Sequence, residues 1–293
     1  MTMKFGKNGV YVRHPREPWE ALGTPMLHVH AQYDQVKGTW GGYSAEEKGQ
    51  FVETYRKAKT EFQMDPAFEI VERVVSGDVV DLLIDDAFSR NRAPIIAFPH
   101  PSFDDEDGVG FEAPMRGPTN ALPFAYAAYL QQLLGCYVDK AIIQAARVGR
   151  TKLKLFSRFL CQPAFVGEIS RGAPYLLIDD TCTTGGSLAA LRSHILRNGG
   201  YVVAVSVLCN KEGSSTPFGI TRGTIGDLHA YYGDGFQSYW QETFGHGPEC
   251  LSEAEGQNLA AWARARTSEG VPAGNQLLQR LRDRINEAAG KGG

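Results

Sequence analysis

The chain has 293 residues, of which 43% are hydrophobic and 22% charged, with a formal net charge of −3. That supports one large core or a core with substantial additions, and it excludes a disordered chain and any general electrostatic attraction to nucleic acid. No apolar run approaches the roughly 20 residues of a membrane span, and the N-terminal MTMKFGKNGVYVRHPREPWE lacks the apolar centre of a secretion signal, so a cytoplasmic chain is expected.

Residues 1–90 mix strand-like pieces such as MLHVHAQY with helical patterns near 44–62 and 66–88, and read as a hood-like accessory region. His28 and His30 would share one side of a strand, but no third ligand follows, so they read as ordinary surface or hood side chains and not a metal site. The stretch VVDLLIDDAFSR at 79–90 contains LLIDD with no glycine turn behind it, and is expected to be the end of a helix or strand with solvated Asp85 and Asp86.

From residue 91 apolar strands alternate with helical patterns. APIIAF (93–98) reads as a buried strand, NALPFAYAAYLQQLLG (120–135) as a helix closed by Gly135, and YVDKAIIQ (137–144) as a second strand. YLLI (175–178) is a third. SLAALRSHILRN (187–198) is an amphipathic helix with Leu188, Leu191 and Ile195 on one face, and YVVAVSVL (201–208) is the next strand. This alternation predicts an α/β fold, an open parallel sheet flanked by helices, with its core at 91–235 and additions at both ends. The aromatics Tyr231, Tyr232, Phe236, Tyr239 and Trp240 read as core packing rather than a stacking platform. Residues 236–293 read as a helical extension. Two charged helices occupy 251–285, the first opened by a Ser252-x-x-Glu255 capping box, with GVPAG (270–274) as a flexible joint. The five cysteines, Cys136, Cys161, Cys182, Cys209 and Cys250, contain no CxxC pair, so neither a disulfide framework nor a zinc site is expected.

YLLIDDTCTTGGSL, residues 175–188, carries the most chemistry. An apolar strand ends in two carboxylates and then enters a turn of hydroxyls and glycines that opens a helix. Such a turn offers backbone N–H groups and the positive end of a helix dipole to an anion, at the strand end where parallel sheets bind ligands. Carboxylates beside a phosphate repel it unless they accept hydrogen bonds from sugar hydroxyls or hold a cation. A Rossmann turn or a merely tight strand-to-helix connection is the competing reading, but the GxGxxG fingerprint is absent.

YLLI-DD-TC-TT-G-G-S resembles the phosphoribosyl-diphosphate motif of type I phosphoribosyltransferases: four apolar residues, two acids, two variable positions, two hydroxyl residues, Gly, any residue, then Ser or Thr. Thr181 stands where an aliphatic residue is commoner. The resemblance implies that Asp179 and Asp180 bind the ribose hydroxyls and a magnesium ion. It also implies that Thr181, Cys182, Thr183, Thr184, Gly185, Gly186 and Ser187 surround the 5′-phosphate. FPHPS follows the first core strand where the family has a diphosphate loop, which assigns Pro99, His100, Pro101 and Ser102 to it, with prolines suited to a strained or cis peptide. MRGPTN at 115–120 is similar to the helix start of ComF-like members, making Arg116 a phosphate contact. In the basic stretch RVGRTKLKLFSR (147–158), Arg147 and Arg150 fall where the family closes a loop over the diphosphate, although the Gln and Asn usual in ComF-like members are missing. Thr183 stands where 6-oxopurine members have Asp, which disfavours purine salvage.

The implied activity is magnesium-dependent phosphoribosyl transfer from 5-phosphoribosyl 1-diphosphate to a nitrogenous acceptor, with Asp179, Asp180 and Arg150 as the catalytic group. The alternative is a non-catalytic sensor, regulator or interaction protein that keeps the same site. The acceptor is not legible. No membrane or nucleic-acid partner is expected, and self-association into a homodimer is left open.

Overall fold

The structure, a computed structural model, describes residues 2–4, 10–12, 15–19, 25–89, 92–101, 119–144 and 153–290. In chain order its elements begin with the antiparallel pair β1 (Thr2–Lys4) and β2 (Val10–Val12), followed by β3 (Met26–Gln32) and the helices α1 (Tyr33–Lys37), α2 (Ala45–Thr60), α3 (Met64–Val74) and α4 (Gly77–Ala87). Then come β4 (Ile95–Ala97), α5 (Leu122–Leu134), β5 (Tyr137–Val138), β6 (Ile143–Gln144), α6 (Leu155–Leu160) and β7 (Phe165–Val166). The remainder is β8 (Pro174–Thr181), α7 (Gly186–Arg197), β9 (Tyr201–Asn210), β10 (Thr216–Pro217), α8 (Arg222–Tyr232), α9 (Gly235–Phe244), α10 (Glu253–Ser268) and α11 (Asn275–Gly290).

Six strands form the main sheet in the order β10-β3-β9-β8-β4-β5. All neighbours are parallel except β10 against β3, so the expected open parallel sheet carries one antiparallel edge. Strand alternation divides the inner strands between two layers. Leu176, Ile178, Ala204 and Leu208 face Ile70, Leu83, Leu122 and Ala125 of α3 to α5. Tyr175, Leu177, Val205 and Val207 face Leu188, Leu191 and Ile195 of α7. A third apolar cluster, including Phe156, Phe159, Tyr232, Phe236, Trp240, Leu259 and Leu281, joins α6 to the four C-terminal helices. Tyr232, Phe236 and Trp240 are therefore core residues, as read from the sequence. Among the described residues no helix is long and apolar enough to cross a membrane.

Several expectations need correction. The segment MLHVHAQY is no accessory strand, because β3 lies inside the main sheet and pairs Leu27 with Val205 and Val29 with Val207 of β9. A division at residue 90 cuts that sheet, and one at residue 235 cuts the cluster holding Tyr232, Phe236 and Trp240. The single helical pattern at 66–88 is two helices: Val75 turns extended, and the Ser76 N–H donates to His30 Nδ1 (3.1 Å). YVDKAIIQ is likewise broken after Val138. The Asp139 carboxylate accepts the Ala141 N–H (2.9 Å), a local turn that sends Ile143 and Gln144 to pair with Val166 and Phe165. The GVPAG joint is a bonded helix-to-helix turn, with the Gly274 N–H donating to the Tyr231 carbonyl (2.8 Å).

Candidate functional site

β8 runs on past YLLI through both acids to Thr181, and it is flanked by β9 and β4, so Asp179 and Asp180 sit at the carboxyl end of an inner strand. There the chain turns into α7 through Gly185, which is left-handed (φ 72°) and has no side-chain oxygen to cap the first turn. A left-handed residue is required at this point, and glycine adopts it without a Cβ penalty. A Cβ at Gly185 would stand 2.8 Å from Phe218 Cε2 and 3.2 Å from Ser252 Cβ, so the glycine is needed for close packing behind the turn.

The motif side chains divide by exposure. Thr183 is exposed, and Asp179, Thr181 and Ser187 are partly exposed, so these four side chains present the most surface. Cys182, Thr184, Gly185 and Gly186 are buried. Burial pushes the thiols of both Cys182 and its neighbour Cys209 up to about 12, which leaves them neutral and inert. The Cys182 N–H donates to the Cys209 carbonyl (3.0 Å). From this arrangement Cys182 and Thr184 serve as structure rather than as side-chain contacts.

The two acids are not equivalent. Asp180, 4% exposed, forms an ion pair with the ammonium of Lys59 from the last turn of α2. Burial works against its charge, but Lys59 outweighs burial and holds the Asp180 carboxyl below the usual range. The same pairing holds the Lys59 ammonium above its ordinary value, again against burial. Asp179 is pushed well above the usual carboxylate range, first by burial and then by the neighbouring charge of Asp180. Its Oδ1 accepts the Asp180 N–H (2.8 Å). Asp180 is thus buried at the strand end, whereas Asp179 keeps part of its surface open.

Behind the turn lies a buried support. Ser252 donates its hydroxyl to the Thr184 carbonyl and accepts the Glu255 N–H (3.1 Å), so the cap of α10 also holds the loop. Glu255 pairs with Arg16 (2.5 Å), and Arg16 donates as well to the Gln162 side chain (2.6 Å) and to the Gly186 carbonyl (3.3 Å). The Trp19 indole N–H donates to the Leu251 carbonyl (2.5 Å). Sequence reasoning found the Ser252 cap but not its contact with the motif, and it missed Arg16 and Lys59, whose partners lie more than a hundred residues away.

The FPHPS segment is described as far as Pro101. His100 is buried against Phe98 and Phe124, donates from Nδ1 to the Pro101 carbonyl (2.9 Å), and has its pKa lowered by burial. It packs as a neutral ring. Pro99 and Pro101 are partly exposed, and no peptide bond among the described residues is cis. Ser102, Arg116, Arg147 and Arg150 lie outside the described residues.

LLIDD in α4 is helical, as one of the expected alternatives had it. Asp85 is exposed there, but Asp86 accepts from Nε2 of the buried His28 (2.8 Å). His30 takes another role: its Nε2–H donates to Tyr126 (2.7 Å), Tyr126 donates to Ser206 (2.6 Å), and Ser206 to the His28 carbonyl (3.2 Å). Both histidines belong to the layer between sheet and helices. Among the described residues no three His, Cys, Asp or Glu side chains converge on a metal position.

Asp179 and Asp180 also fit poorly to the magnesium ion expected of them. Magnesium is commonly held through one or two carboxylates plus substrate oxygens, so two acids alone would not exclude it. Here, however, Asp180 already carries an ammonium, whose charge repels a second cation at the same carboxylate.

No protein-family model matches the chain. Among curated proteins it is similar to protein TraN of Escherichia coli, 30% identical over 242 residues, which are 82% of this chain and 48% of that protein. It is also similar to an uncharacterized protein of Haemophilus influenzae, 30% identical over 143 residues, 49% of this chain and 29% of that one. The chain thus spans about half the length of the first of these relatives and less than a third of the second. Solved structures similar to it include an adenine phosphoribosyltransferase (TM-score 0.31, 16% identity, 56% of this chain and 78% of that one). Another is the adenine phosphoribosyltransferase of Leishmania tarentolae (TM-score 0.28, 14% identity, 52% of this chain and 76% of that one).

Proposed function

We propose that the chain binds 5-phosphoribosyl 1-diphosphate at the end of β8 and transfers its phosphoribosyl group to a nitrogenous acceptor. One observation carries this reading: two adjacent acids at the carboxyl end of an inner parallel strand lead through a left-handed glycine into the uncapped start of α7. A ligand that fits has hydroxyls for the acids and a phosphate for the helix start, as a phosphorylated sugar does.

The acids divide the work. Asp180, kept ionised by Lys59, is a pure acceptor for a ribose hydroxyl. Asp179, with its raised pKa, is the carboxyl that can hold a proton and so either accept from or donate to the sugar. The 5′-phosphate meets the first turn of α7 and the exposed Thr183 hydroxyl. In the transfer, the C1–O bond breaks and its electron pair leaves on diphosphate. The acceptor's nitrogen lone pair forms the C1–N bond, and the proton on that nitrogen passes to water or to the departing diphosphate. Arg147 and Arg150 are proposed to stabilise the charge growing on diphosphate, as paired guanidinium donors do.

Calorimetric titration with 5-phosphoribosyl 1-diphosphate tests the binding half. Asp179→Asn should weaken it about 10- to 100-fold, the range for losing a charge-assisted hydrogen bond. Unchanged affinity in the folded variant overturns the site. Asp180→Asn is the poorer probe because it also strands Lys59. Release of diphosphate on adding nitrogenous acceptors tests the catalytic half, and tight binding without release would make the chain a sensor.

A further inference from the structure

Among the described residues Lys59 is the one cationic side chain placed on the acids of the motif, and its position is built rather than incidental. The residues on either side of it are stapled to the start of α5: the Ala58 carbonyl accepts the Ala121 N–H (2.9 Å) and the Phe62 N–H donates to the Thr119 carbonyl (2.9 Å). Ala58 is fully buried, and Phe62 packs edge-on against Phe124 at 5.3 Å. The last turn of α2 therefore cannot slide, and the Lys59 side chain, 25% exposed, reaches an Asp180 side chain that is 6% exposed. An ammonium has three donors, of which Asp180 takes one.

Resting on the phosphoribosyl reading of this site, we propose that the Lys59 ammonium supplies the positive charge that the acids would otherwise take from a divalent cation. The chain then binds 5-phosphoribosyl 1-diphosphate without a metal. Lys59 is a positioning residue here. It neutralises one of two adjacent carboxylates, keeps Asp180 aimed at the sugar edge, and offsets the repulsion between the acids and an arriving anion. Removing it restores a bare pair of carboxylates, and with that pair comes a need for magnesium.

The test is the metal dependence of binding, measured by calorimetry with 5-phosphoribosyl 1-diphosphate in magnesium and in EDTA, with ribose 5-phosphate as a second probe. Wild-type affinity should change by less than about threefold between the two buffers. Lys59→Met should lose roughly tenfold or more in EDTA and recover in magnesium, the effect of one charge-assisted contact. Lys59→Arg should behave as wild type. Because Lys59→Met leaves Asp180 buried and unpaired, thermal melting checks each variant. Lys59→Met with Asp180→Asn, which removes both charges, serves if the single variant melts below the assay temperature, and it too should bind without metal dependence. Wild-type binding that needs magnesium, to the same degree in Lys59→Arg and Lys59→Met, overturns the proposal and leaves the phosphoribosyl reading standing. Failure of the wild type to bind either ligand in either buffer overturns that reading itself.

Discussion

Ser252 donates its hydroxyl to the carbonyl of Thr184, 68 residues earlier, so the cap of a C-terminal helix and the candidate phosphate turn share one hydrogen bond. Ser252 is 1% exposed. Ser252→Ala removes an N-cap and leaves a buried carbonyl without that donor, and should cost about 2 kcal/mol. Urea unfolding reads this directly. An intact midpoint would show that the turn holds itself.

Gly185→Val acts on the fold before it acts on any ligand. The new Cβ points at Phe218 and Ser252, not toward the open strand end, and it sits on a residue at φ 72°. Left-handed strain of about 1–2 kcal/mol adds to about 1–3 kcal/mol of overpacking. The variant should melt well below the wild type with or without ligand. A normal melting temperature with lost ligand binding would place the phosphate on the side where Phe218 now lies.

Glu255→Gln should be the most damaging single change near the site. Arg16 and Glu255 have side chains 2% and 1% exposed, and breaking such a pair strands a guanidinium in the interior, which costs about 3–5 kcal/mol. Arg16→Met combined with Glu255→Leu removes both charges and should recover most of that loss. Chemical denaturation of the single and double variants decides the matter, since a double variant no better than the single would mean that packing, not charge, dominates.

Acid should weaken the fold through two histidines. Burial first, and then the charge of His28, lowers His30 from 6.5 to about 4; burial and then Arg16 do the same to His246. The unfolded chain therefore binds more protons between those values, and stability is fully present above pH 6.5 and lost as the pH falls toward 4. Each histidine should contribute roughly 1–2 kcal/mol of lost stability between pH 7.5 and pH 5. Denaturation midpoints at the two pH values measure it. His30→Gln should shrink the difference, and a variant with the full wild-type dependence would assign it elsewhere.

Much of this could be read in the sequence where the signal was local. The β8–α7–β9 unit, the Ser252-x-x-Glu255 cap and the helix ended by Gly135 each announce themselves within a few residues, through period, hydroxyl or glycine. What escaped was non-local. Nothing near Lys59 marks it as the partner of Asp180, 121 residues on, because their meeting depends on how α2 is stapled to α5. The short apolar run of β3 gives no sign of which strand it joins. YVDKAIIQ kept its strand-like pattern, and the turn at Asp139 came from one carboxylate choosing the backbone of Ala141.

The place of β3 between β9 and β10 also has a consequence for how the chain is made. Both of its neighbours, Tyr201–Asn210 and Thr216–Pro217, are synthesised long after Met26–Gln32. At about 5–20 residues per second, the ribosome leaves this apolar strand without either sheet partner for roughly ten seconds or more. Closure of the sheet must wait for that long-range pairing, which is slow by its topology. A nascent chain stopped before β9 would therefore expose an open strand edge and be prone to aggregate, whereas one stopped after β10 would have its sheet complete.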